Sequence, residues 1–128
     1  MKTALEIEKE LAYCCGTESY HRTMRPDTVH TDGVLTLAQG ADAFWLIDAI
    51  VSHQPTCMKD DSLRFMQFWT LTVKDNSATL ICERDTDDVA ITQEIEYTDF
   101  PLDEIKVWVE KGWTDGREVM VAMLPSER

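Results

Sequence analysis

Apolar positions along the chain follow a helical period in its first half and an alternating one in its second. Ala4, Ile7, Leu11 and Cys14 or Cys15 recur at helical spacing, with Glu6, Lys9 and Glu10 on the other side. Thr3 followed by Glu6 has the capping-box spacing, so a helix of about 12 residues is predicted to start there. Gly16 is expected to end it in a left-handed conformation. Residues 17–31 show no period, and Pro26 removes a backbone donor, which predicts loop with room for one short strand. Asp32 is the expected N-cap of a short helix through Val34, Leu35 and Leu37, interrupted at Gly40. A second helix follows from about Ala41 to His53. It is apolar on nearly every side, which predicts the most buried element of the fold, and Pro55 is expected to close it.

From Leu63 the period becomes two, with Phe65, Trp69, Leu71 and Val73 on one face and Arg64, Thr70, Thr72 and Lys74 on the other. Met66 and Phe68 interrupt the polar face. Asp75, Asn76 and Ser77 supply turn chemistry for a hairpin returning along Ala78 to Glu83. A charged turn over residues 84–88 leads to a strand from Ala90 to Tyr97. Residues 102–110 fit both periods; their β-branched content favours strand. Gly112 to Arg117 reads as a turn and Glu118 to Leu124 as the last strand, with Val119, Val121 and Met123 on one face. The whole predicts one α+β domain over residues 1–128, with N-terminal helices packed on an antiparallel meander of four or five strands.

Composition narrows what such a domain binds. The 128 residues carry 24 Asp+Glu against 12 Lys+Arg, a formal charge of −12. That charge opposes direct contact with nucleic acid and favours a basic protein surface or a cation, while also serving solubility. Met1 to Glu10 carries acids where a signal peptide needs an apolar run, and no stretch reaches the length of a membrane span. A cytoplasmic protein without membrane contact is the expectation, its four cysteines free and buried.

Candidate chemistry is sparse. Cys14, Cys15, His21 and His30 lie close in sequence, but adjacent cysteines do not readily supply two tetrahedral ligands, so neither a metal nor a cofactor is expected. A cysteine nucleophile, Cys14 or Cys57, needs His21, His30 or His53 within hydrogen-bond reach, which spacing does not settle. Nucleophile-elbow, phosphate-loop, dinucleotide and His-Glu-x-x-His patterns are absent, and no catalytic residue is assigned. Asp48 interrupts the most apolar helix, so it is either paired or faces outward; as a functional group it is an acid or an anchor for a partner's arginine.

The acidity is uneven. Glu83, Asp85, Asp87, Asp88, Glu94, Glu96, Asp99, Asp103 and Glu104 face a single cation, Arg84, and hold eight of the twelve net charges. Spaced carboxylates of this kind imitate duplex phosphates and compete for a basic groove; they also serve as a solvated edge that resists aggregation.

Three segments, HTDGVLTLAQGADAFWLIDAI over 30–50, IEYTDFPL over 95–102 and LPSE over 124–127, resemble an uncharacterised family of small bacterial, phage and plasmid proteins that share TDG, AxWLID and TDFP motifs. That resemblance implies a mobile-element context and no catalytic residue. The expected function is an acidic interaction protein that occupies a basic surface of a host protein, with inhibition of a nucleic-acid-binding defence complex by mimicry as the form that expectation takes. The alternatives are a homodimeric domain joined through Met66, Phe68, Trp108 and Trp113, and a small enzyme without a recognisable motif.

Overall fold

Thr3 caps the first helix as its spacing predicts: its side chain accepts from the Glu6 amide, and Glu6 reaches back to the Thr3 backbone. The computed structural model, which describes all 128 residues, runs α1 (Ala4–Leu11), β1 (Tyr20–Arg22), β2 (Thr28–Thr31), α2 (Asp32–Ala41), α3 (Phe44–Ser52), a single turn α4 (Gln54–Cys57), β3 (Met66–Lys74), β4 (Ser77–Asp85), β5 (Asp88–Ile95), β6 (Glu104–Thr114) and β7 (Arg117–Met123), closing with a 3-10 turn over Pro125–Glu127.

Helix boundaries depart from the pattern where local hydrogen bonding overrides it. α1 ends at Leu11 because Tyr13 and Cys14 donate to Glu10 and Leu11, tightening the chain before Gly16 is reached. Gly16 has no left-handed backbone. Thr31, one residue before the expected Asp32, caps α2 by accepting from the Val34 amide at 3.3 Å. Gly40 does not interrupt α2. A Cβ there would come within 3.3 Å of Ile7, so the glycine lets α1 and α2 approach closely, and the break falls at Asp42 with φ 52. α3 buries Leu46, Ile47, Ile50 and Val51 but exposes Phe44 and Asp48, so it is half-buried and α2 is the more enclosed helix. Pro55 sits in the first turn of α4, where its missing N–H costs no helical bond.

The α+β class holds, with a mostly antiparallel sheet, but the sheet has seven strands rather than four or five and is not a meander. Its order is β1-β2-β7-β6-β3-β4-β5, with β2 and β7 parallel. The two extra strands are three and four residues long, too short to display a period. β6 also runs through Gly112 and Trp113, which the turn chemistry had assigned to a loop; the turn itself is Asp115–Gly116.

Alternation gives the sheet two unlike faces. Trp69, Leu71, Leu80, Cys82, Val107, Val109, Met120 and Ala122 join the helices in the main core. Gln67 lies among them fully buried, its amide exchanging bonds with Gln54 at 2.9 Å in both directions and accepting from Trp69 Nε1 at 2.8 Å. The opposite face carries a separate cluster, Val29, Val119, Val121 and Met123, with Trp108 packed on it and no helical residue in it. All four cysteines are free, Cys57 and Cys82 buried, Cys14 half-buried and Cys15 exposed.

Candidate interaction surface

The β4–β5 hairpin puts the acidic set at two separate ends of the sheet. Glu83, Asp85, Asp87 and Asp88 crowd its tip, where Asp85 pairs with Asp88 and Asp87 takes φ 61. Most of these carboxylates hold the turn: Glu83 accepts from the Asp87 amide at 2.9 Å, Asp85 from Thr86 at 2.8 Å, and Asp88 from Arg84 at 3.1 Å. Arg84 also reaches Asp60 at 2.8 Å, tying the hairpin to the segment after α4. That guanidinium, helped by the Leu63 and Ser62 amides, holds the Asp60 carboxyl below its usual range.

Glu94, Glu96, Asp99, Asp103 and Glu104 occupy the other end. Glu94 accepts from Thr79 at 3.1 Å and the remaining four lie exposed. Thr79 and Asp85 are six residues apart on β4, so the two groups stand about 20 Å from each other. The nine carboxylates therefore form two patches instead of one array. Asp48 is exposed on α3.

A groove on the helix-free face adjoins the tip patch. Phe68, Thr70, Glu83, Asp85, Thr86, Lys106 and Trp108 line about 230 Å³. Phe68 and Trp108 form its floor, edge to face with ring centroids 5.3 Å apart. Glu83 and Asp85 stand on β4, and Lys106, which has no ion-pair partner, stands two strands away on β6. An aromatic floor beside carboxylates suits a guanidinium or ammonium group, which gains from the ring faces and from the acids together. No cysteine or histidine lines the groove. Of the four residues expected to join two copies, Met66, Phe68 and Trp108 share this face, whereas Trp113 projects from the helix side and is exposed.

The histidines and cysteines are engaged elsewhere. His21 meets Asp32 at 2.8 Å and stacks near His30, with centroids 5.2 Å apart. The Glu18 amide and His21 hold the Asp32 carboxyl low, and burial pushes the His30 imidazole down. His53 bonds Gln93 at 2.7 Å and stacks on Trp69. Burial pushes the Cys14 thiol up, and its sulfur donates to the Glu10 carbonyl. No three His, Cys, Asp or Glu side chains converge as metal ligands do. In the core, the gap among Val34, Leu46 and Val107 holds about 10 Å³, at the lower limit for one water.

The recognisable sequence segments turn out to meet one another. Glu127 of LPSE accepts from Thr31 Oγ1 at 2.6 Å and from the Gly33 amide at 3.0 Å, both in TDG. Trp45 of the α3 segment packs edge-on against Phe100 of the TDFP turn at 6.3 Å. These segments are tertiary sutures, a role that their spacing in sequence does not reveal.

A family model described as a family of unknown function, DUF6876, matches residues 5–128, and the chain belongs to that family. Neither curated proteins nor solved structures give a match. No helix is long and apolar enough to cross a membrane.

Proposed function

We propose that this domain acts by binding, with the helix-free sheet face as its docking surface and a basic segment of another protein as its partner. The observation that carries this reading is the groove over Phe68 and Trp108, rimmed by Glu83 and Asp85, in a chain of charge −12. The long-range field draws a cationic partner in, and the groove supplies the short-range site for an arginine or lysine. Proteins with dense basic surfaces are foremost those that bind nucleic acid. The second patch, from Glu94 to Glu104, lies about 20 Å from the first and extends the same complementarity, so a host nucleic-acid-binding protein, including one of a defence complex, is the partner class we favour, with carboxylates standing in for phosphates. Phage and mobile-element origin belongs to the same proposal.

The test is a titration of the labelled protein with a short arginine-rich peptide, following the Trp108 indole signal, alongside a glutamate-rich control. Saturable binding that Asp85→Lys abolishes supports the groove; binding that Asp85→Lys and added salt leave unchanged overturns it.

A second reading has its own observation. Met66, Phe68 and Trp108 stand half-buried on this face, beside the buried cluster of Val29, Val119, Val121 and Met123, and this apolar strip suits association of two copies. Light scattering over a concentration series decides it, a strict monomer counting against the dimer.

A further inference from the structure

Arginines gather at one place in this acidic chain. Arg22, at the end of β1, Arg25, in the loop between β1 and β2, and Arg117, at the start of β7, line a cavity of about 370 Å³ with Thr23, Met24, Pro26, Thr28 and Val29. These are three of the six arginines in the sequence, and no carboxylate lines the cavity. We propose that this cavity is a binding site for a phosphate group, either the free ion or a phosphate monoester.

Its walls are built in advance. Thr23 Oγ1 lies 2.8 Å from the Thr28 carbonyl and accepts from the Arg25 amide at 3.1 Å, the Thr28 amide donates to the Arg25 carbonyl, and the Met120 amide donates to the Asp27 carbonyl at 2.8 Å. The loop is thereby tied to both β2 and β7, so little ordering is left for a ligand to impose. Arg117 Nη1 donates to the Pro26 carbonyl at 2.7 Å, which aims its guanidinium at the loop and leaves its other N–H groups available. Arg22 is exposed and has no ion-pair partner. Arg25 is held by Asp27 at 2.6 Å, a carboxylate that an incoming anion must compete with or share.

Guanidinium groups keep their charge throughout the physiological range, and their planar forks match tetrahedral oxyanions with paired hydrogen bonds. Even with Arg25 shared by Asp27 and one Arg117 N–H engaged by Pro26, the remaining N–H groups around the cavity exceed what a single carboxylate can use, which is why phosphate is the chemistry assigned. The net charge of the chain repels extended polyanions and leaves a small ligand as the fitting occupant. The site stands apart from the acid-rimmed groove, on the β1-β2-β7 side of the sheet, and does not rest on the reading of that groove.

The experiment follows the arginine Nε–H signals of the nitrogen-15-labelled chain during titration with inorganic phosphate and with O-phosphoserine, using chloride at matched ionic strength as the control. Saturable shifts of Arg22, Arg25 and Arg117 are expected with phosphate and not with chloride. Arg22→Gln, a change on an exposed edge strand, weakens the affinity about tenfold, the equivalent of one charge-assisted bond. Asp27→Asn strengthens it several-fold by releasing Arg25, an outcome that unfolding does not imitate. Arg128→Gln, at the C-terminus, leaves it unchanged. Tighter binding of the monoester identifies a phosphorylated ligand and tighter binding of the free ion identifies the ion, both in support of the site. Shifts that do not saturate with either probe, or an affinity indifferent to Arg22→Gln, overturn it.

Discussion

Glu127 places its carboxylate on Thr31, 96 residues earlier in the chain, accepting from the hydroxyl at 2.6 Å. Thr31 in turn accepts from the Val34 amide, and Glu127 takes the Gly33 and Leu124 amides itself, at 3.0 and 2.9 Å. One carboxylate thus satisfies exposed donors at the start of α2 and sits where the helix dipole favours negative charge.

Replacing Glu127 by Ala therefore costs about 1–3 kcal/mol, since the Gly33 and Leu124 amides and the Thr31 hydroxyl lose a charged acceptor. Gly33→Ala reaches a similar loss by another route, because its Cβ would fall 2.5 Å from Glu127 Oε1 and displace the carboxylate. Urea denaturation checks both, and the double variant is expected to cost less than the two single losses added together.

The buried amide pair offers a sharper cycle. Gln67→Leu strands the Gln54 amide and the Trp69 indole N–H in a site with no solvent, a loss of about 2–4 kcal/mol. Replacing Gln54 by Leu as well removes much of that penalty, since both amides are then gone. Chemical denaturation of the three variants gives the coupling, and strict additivity would contradict the pairing.

Stability depends on pH in two windows. Burial lowers the folded-state pKa of His30 below the unfolded value of about 6.5, so its contribution is complete above that value and is lost as pH falls below it toward the folded pKa. The slope between about pH 7 and pH 5 flattens in His30→Gln relative to the parent chain. Asp60, held low by Arg84, contributes above the ordinary carboxylate value of about 3.9 and loses its contribution as acid carries the pH down through its folded pKa. Denaturant midpoints measured against pH show whether Asp60→Asn removes that second decline.

Salt separates the charge of the groove from its aromatic floor. Raising ionic strength from about 0.1 M to about 1 M shortens the screening length from about 10 Å to about 3 Å, so arginine-peptide binding is expected to weaken at least tenfold. Phe68→Ala lowers the affinity at both salt concentrations by removing the ring that stacks, whereas Asp85→Asn lowers it chiefly at low salt. Calorimetric titration distinguishes the two patterns.

Local chemistry was readable before the fold was known. The Thr3–Glu6 cap, the amphipathic α1, the Asp75–Asn76 turn with both residues at positive φ, and the alternation within β3, β4 and β5 each depend on neighbours within a few residues, although the strand ends do not: Phe65 and Tyr97, expected in β3 and β5, fall outside them and are exposed. So does the net acidity. Gln67 escaped the sequence reading: a polar residue in a core-facing register is accounted for only by Gln54, 2.9 Å away. The tertiary structure decided everything that required distant strands to meet. Three- and four-residue strands have no period of their own, and β2 becomes a strand only because β7 lies parallel beside it. Nine carboxylates that look contiguous in the sequence part into two patches because β5 carries the chain from one end of the sheet to the other between them, while Arg22, Arg25 and Arg117 gather because that same β2–β7 pairing carries them together. Acidity is a sum over residues and composition suffices for it; a site is a set of distances, and those come only from the packing of the whole chain.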